Sequence, residues 1–146
     1  MRWGFLIGSA AFFAASIAAA QSMVEIDREV FVERSLERDG RTQRSLVPAD
    51  TLESGDTVVL MLAWRTPQDA PFTISSRVPR TLAFRASGGD TAQVSVDHGR
   101  SWGQLAQLRV RGRPATSADV THVRWDVSNP RAARGRGVFT YSAVVR

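Results

Sequence analysis

The sequence of 146 residues contains no cysteine and only two histidines, and all 19 of its basic residues are arginine, so lysine is absent. The lack of cysteine excludes disulfide bridges, thiolate metal ligands and a thiol nucleophile. A fold built from this chain must therefore rely on packing. No stretch after residue 20 shows a sustained 3.6-residue hydrophobic period, which argues against a helical domain.

Several enzyme motifs are also absent. The chain has no H-E-x-x-H or C-x-x-C metal motif, no G-x-S-x-G nucleophile motif and no phosphate-binding glycine loop. We therefore predict no catalytic residue, no cofactor and no metal, with a glycan hydrolase as the enzymatic alternative. Spacing alone leaves open a metal site at His98 and His122 that a carboxylate would complete. The candidate carboxylates are Asp90 and Asp97.

Residues 1–20 have the composition of a cleavable signal peptide. Arg2 supplies a positive start, an uncharged apolar run covers residues 3–17, and three alanines precede Gln21. The run is shorter than the roughly 20 residues that span a bilayer, so a membrane anchor is the less favoured alternative. We predict export to the periplasm or the cell surface. The exported part, residues 21–146, is predicted to be one domain without a transmembrane segment.

The positive charge points to anionic partners. The formal net charge is +5, and such a balance favours contact with anionic lipid or polysaccharide of a cell envelope. The candidate anion-binding residues cluster near the end of the chain: Arg131, Arg134 and Arg136. Basic and aromatic residues are not interleaved on one face, so nucleic acid is not an expected partner. The predicted partner is another envelope protein or an anionic surface polymer.

Alternation of apolar and polar residues predicts β-strands along most of the chain. In the first strand Arg28 interrupts the apolar side, which predicts a bend or an edge position there. Asp39 and Gly40 form a strong signal for a two-residue hairpin turn. Residues 57–64 carry no charge and begin with β-branched residues, so we predict a central strand covered on both faces.

The same alternation reaches the end of the chain, where residues 139–145 predict a final strand. Gly135 and Gly137 are expected to loosen the approach to it. Five aromatic residues occupy strand positions that predict burial: Phe72, Phe84, Trp125, Phe139 and Tyr141. About seven to nine short antiparallel strands separated by turn signals predict an all-β fold, an immunoglobulin-like β-sandwich, with a closed barrel as the alternative.

One octapeptide, residues 95–102, fits the S-x-D-x-G-x-[ST]-W pattern of the Asp box, which is familiar from sialidase propellers. An aspartate there can accept hydrogen bonds from turn amides, and glycine permits a positive φ angle. A propeller needs several repeated blades, whereas this chain carries one copy of the motif. We therefore predict a structural hairpin formed by Ser95, Asp97, Gly99 and Trp102. Asp97 is expected to hold the turn, and Trp102 to cover the core.

An ordered set of segments resembles one bacterial family. The segments are residues 46–50, 54–59, 95–102 and 118–125, followed by the closing Gly-x-Phe-x-Tyr-x-Ala-x-Val strand. Together they resemble the conserved-repeat family (domain of unknown function 11), and more closely its small exported single-domain members. The resemblance implies an immunoglobulin-like sandwich without an established enzymatic activity, so no catalytic residues are carried over. This chain has His98 where the family usually has glycine.

Overall fold

The computed structural model describes residues 23–89 and 91–146. The predicted signal peptide and Asp90 lie outside the described residues. The described chain consists mostly of antiparallel strands and turns, with two short 3₁₀ turns, which confirms the prediction of an all-β fold. Within these residues, no helix has the length and hydropathy needed to cross a membrane.

Most strands belong to two antiparallel sheets. The strands of the larger sheet are β1 Glu25–Arg38, β2 Arg41–Pro48, β3 Thr57–Arg65, β5 Leu82–Ser87 and β10 Arg136–Val145, in the order β2–β1–β3–β10–β5. Those of the smaller sheet are β4 Phe72–Arg77, β6 Gln93–Ser95 and β9 His122–Val127, in the order β4–β9–β6. A separate short hairpin pairs β7 Arg109–Val110 with β8 Arg113–Pro114.

The first hairpin forms where the sequence predicts it. Asp39 and Gly40 have φ angles of 54° and 70°, and positive φ at both positions is the turn geometry that Asp-Gly favours. β2 pairs with β1 only from Phe31 onward, whereas β3 pairs with the earlier part of β1. Arg28 therefore pairs on one side only, which agrees with the predicted edge position.

One hydrophobic core joins the inner faces of the two sheets. The Trp125 indole of β9 is fully buried and stacks on Phe139 of β10, with ring centroids 5.2 Å apart and an interplanar angle of 8°. Trp64 of β3 meets Phe72 of β4 edge-on, also at 5.2 Å. All five aromatic residues predicted to be buried belong to this core or pack against it.

β3 differs from the prediction on one face. Val58 and Leu62 are buried against the core, whereas Val59, Met61 and Ala63 alternate with them and therefore point to the opposite face. The smaller sheet packs on the core face, and Val59, Met61 and Ala63 stay partly exposed. The prediction of a strand covered on both faces is therefore wrong for the described residues.

Candidate functional site

The Asp box folds as a turn whose polar groups bond to one another. The Asp97 carboxylate accepts hydrogen bonds from the Ser101 hydroxyl at 2.6 Å and from the Ser101 and Arg100 amides at 2.9 and 3.1 Å. The Ser95 hydroxyl donates to Asp97 at 2.8 Å and accepts from the Gly99 amide at 2.8 Å. The bonds from Ser101, and then that from Ser95, hold the pKa of Asp97 well below its usual range because they favour the charged carboxylate.

This bonding suits a structural role for Asp97. A carboxylate that acts as a general acid near neutral pH needs a raised pKa, and the pKa of Asp97 is shifted in the opposite direction. Both carboxylate oxygens are already engaged within the turn. The Asp97 carboxylate therefore stabilises the turn through hydrogen bonds to residues of the same turn.

Trp102 lies on the outer side of the smaller sheet. Its Nε1 donates to the Gly99 carbonyl at 3.0 Å, the Arg124 guanidinium lies 4.7 Å from the ring centroid, and the His122 ring is 6.3 Å away. Arg124 and His122 occupy the face of β9 opposite the buried Trp125. The expectation that Trp102 covers the core is therefore wrong. The motif determines the local turn but not the face of the sheet against which its tryptophan packs.

The two histidines are neighbours in space. Their ring centroids are 6.5 Å apart, and the Thr121 hydroxyl accepts the His98 amide at 3.1 Å while lying 3.1 Å from His122 Nδ1. Burial, reinforced by the charge of Arg77 and by His98, lowers the pKa of His122 and favours its neutral imidazole. Across residues 23–89 and 91–146, no cluster of three potential metal ligands occurs.

The arginines predicted to bind anions surround one turn at the start of β10. The Arg134 amide donates to the Arg131 carbonyl at 2.9 Å, and Arg131 lies 3.8 Å from the Asp69 carboxylate. Arg131 and Arg134 line one small pocket, whereas Arg134 and Arg136 line a neighbouring groove with Arg65. The structure thus places all three at one end of the molecule. Asp69 would compete with an external anion for Arg131.

An apolar surface that the sequence did not predict lies on the larger sheet. This outer sheet face consists of five residues from three adjacent strands: Phe31, Val59, Met61, Ala63 and Val138. Register pairs Phe31 with Val59 and Ala63 with Val138, so their side chains share one face. Val138 is 55% exposed, which makes it the most accessible of the five.

Opposite charges flank the outer sheet face on its two sides. Asp27 and Glu29 of β1 pair in register with its β3 residues, so they lie on the same side of the sheet. Arg136 of β10 precedes Val138 by two residues and shares its face. Arg85 of β5 reaches across to the Thr57 hydroxyl, at 3.4 Å. The face is therefore apolar in the middle, with carboxylates along β1, of which Asp27 lies 4.0 Å from the Arg65 guanidinium, and arginines toward β10 and β5.

We expect the stability that Asp97 contributes to depend on pH. Because its folded pKa lies below the ordinary value of about 3.9, this stability is present above about pH 4 and is lost as the pH falls further. In urea unfolding, the wild type should therefore have a higher free energy of unfolding than Asp97→Asn. This difference should be largest above about pH 4 and shrink toward about pH 2.

The matched control for this experiment is Asp39→Asn. Asp39 is exposed at the tip of the first hairpin, and asparagine tolerates the positive φ angle of that position. We expect the free energies of unfolding of the wild type and Asp39→Asn to show no comparable pH-dependent difference. A gap between wild type and Asp97→Asn that stays constant with pH would contradict the role assigned to the charged carboxylate.

In comparisons with known proteins, no protein-family model, no curated protein and no solved structure matches this chain. The resemblance to the conserved-repeat family stays a prediction that rests on the segments quoted above. Function must therefore be argued from the geometry of the described residues.

Proposed function

We propose that this chain is an exported, non-catalytic, immunoglobulin-like module that assembles in the cell envelope by pairing with a second copy of itself. The observation that carries this proposal is the outer sheet face, whose five apolar residues come from three adjacent strands. Contiguous apolar surface of this kind commonly marks a site of protein association.

Three observations support the fold and the location. Two antiparallel sheets share one core, which is the layer arrangement of an immunoglobulin-like sandwich. The composition of residues 1–20 favours export. The ordered segments that resemble the conserved-repeat family agree with an envelope protein.

The distribution of charge favours a second copy as the occupant of the outer sheet face. A two-fold axis parallel to β3 would lay β1 of each copy over β10 of the other, with the sheets about 10 Å apart. The carboxylates of Asp27 and Glu29 would then approach the basic side, which includes Arg136. Val59, Met61 and Ala63 of the two copies would lie over one another along this axis and be removed from water. In this arrangement Val138 lies opposite Asp27, because both pair in register with Ala63.

The test uses the charge that this arrangement places opposite Val138. We expect the exported chain to form a dimer in sedimentation velocity, and Val138→Asp to raise its dissociation constant by about tenfold or more, since it sets two carboxylates against each other. Val138→Arg should weaken the dimer less, because an arginine there can pair with Asp27.

The control is Leu36→Asp, which replaces an apolar residue that is 54% exposed on the first hairpin, outside the outer sheet face. We expect it to leave the dissociation constant unchanged. If the wild-type chain stays monomeric at about 100 µM, the affinity of any dimer is weaker than the micromolar range of stable association. That result would refute self-association. Equal weakening by Val138→Asp and Leu36→Asp would refute the assigned surface.

A further inference from the structure

A basic pocket lies at the far end of β10 from the turn that carries Arg131 and Arg134. It has a volume of about 380 Å³ and opens between the segment after β4, the Asp-box turn and the segment before β9. Its basic lining residues are Arg77, Arg80, His98 and Arg146. Four basic residues from three separate segments of the chain therefore line one concave space.

The acidic residue in this lining is already neutralised. Both oxygens of Asp119 accept hydrogen bonds of 2.8 Å from the Arg113 guanidinium, and the Thr116 amide donates to the same carboxylate at 2.8 Å. Arg77 and Arg80 form no ion pair with any of the residues that the structure describes. Among the described side chains of the lining, no carboxylate therefore offsets the charge of Arg77 and Arg80.

Two of these basic residues are held by hydrogen bonds within the protein. The Arg146 guanidinium donates to the Leu82 carbonyl at 3.2 Å and to the Ala118 carbonyl at 3.0 Å. His98 sits at the Asp-box turn with a φ angle of 61°, and its amide is bonded to Thr121. The Asp-box turn therefore also positions the backbone of His98 beside the pocket.

We propose that this pocket binds the phosphate group of a small phosphomonoester. Guanidinium groups match the geometry of phosphate oxygens and form charge-assisted hydrogen bonds with them. A phosphomonoester carries nearly two negative charges at neutral pH, which suits a site with three arginines. The volume lies within the range of about 300–1,000 Å³ that is usual for small-molecule sites. The source of the ester, a soluble metabolite or a lipid headgroup, is distinguished by the experiment.

The experiment measures binding of glycerol 3-phosphate to the exported chain by isothermal titration calorimetry at low salt, with glycerol as the uncharged probe. We expect Arg77→Gln and Arg80→Gln each to raise the dissociation constant about tenfold, and added salt to weaken binding. Arg100→Gln is the matched control, because it removes the same charge from an exposed position outside the lining. Circular dichroism confirms that each variant is folded.

A second arm uses vesicles of phosphatidylcholine with and without phosphatidic acid. Binding of glycerol 3-phosphate indicates a soluble ester, and binding to phosphatidic acid alone indicates a lipid headgroup. Either result supports the pocket only when Arg77→Gln weakens it more than Arg100→Gln does. Absence of binding in both arms, or equal loss in the two variants, overturns the proposal. Val138→Asp should retain phosphate binding, so failure of the dimer and failure of the pocket are separable.

Discussion

Replacing Trp125 with alanine should lower the free energy of unfolding by about 3–5 kcal/mol, the usual cost of truncating a large aromatic residue in a core. Trp125 is fully buried, its ring stacks on Phe139 at 5.2 Å, and its centroid lies 6.4 Å from that of Tyr141. Because Trp125 belongs to the smaller sheet and the other two residues to the larger one, the truncation opens a cavity between the sheets. Urea unfolding followed by circular dichroism measures the loss.

The Trp125→Phe variant separates packing from hydrogen bonding. It keeps a ring in the stack and removes the indole Nε1, which has no hydrogen-bond partner among the described residues. Since an unpaired buried donor is itself unfavourable, this change should cost less than half as much as Trp125→Ala. A loss below about 1 kcal/mol for Trp125→Ala would mean that the contact between the sheets contributes little.

The parts of this fold that follow from local patterns were predictable from the sequence. A period-2 pattern places Trp125 and Tyr141 on buried faces because successive side chains of a strand point to opposite sides. The Asp39–Gly40 turn was predictable because both residues tolerate positive φ angles. The prediction that β3 is covered on both faces was wrong. An uncharged run has the same sequence pattern whether the second face of the strand is covered by protein or is an apolar surface.

The sites depend on contacts that sequence spacing does not encode. Arg131, Arg134 and Arg136 were visible as candidates because they are close along the chain. Arg77 and Arg146, in contrast, are far apart in sequence and meet only because their strands end at the same side of the fold. The packing of Trp102 was missed for the same reason, since its neighbours on β9 come from a later segment.

Gly137→Ala should be the most damaging of the conservative substitutions in β10, with an expected loss of about 3 kcal/mol, near the upper end of the usual cost of overpacking. A Cβ at this position would lie 2.6 Å from Nε1 of Trp64 and 2.7 Å from two of its ring carbons. Trp64 is only 3% exposed and is wedged between Phe72 and Phe139, so its ring has little room to move. The absence of a side chain at Gly137 therefore leaves the space that the Trp64 indole occupies. From the sequence, Gly137 was expected only to make the chain before the final strand more flexible.

The control and the double variant make this prediction specific. Gly103→Ala adds the same methyl group at a position where the nearest side-chain atom, on Leu108, is 3.5 Å away, and it should cost less than about 1 kcal/mol. Trp64→Phe removes the part of the ring that the new Cβ would meet. Gly137→Ala should therefore cost clearly less in a Trp64→Phe background than in the wild type, a coupling that a double-mutant cycle measures by urea unfolding. If the losses of unfolding free energy in the two single variants add up to that of the double variant, the cost arises from the backbone of β10 and not from contact between the new Cβ and the Trp64 ring.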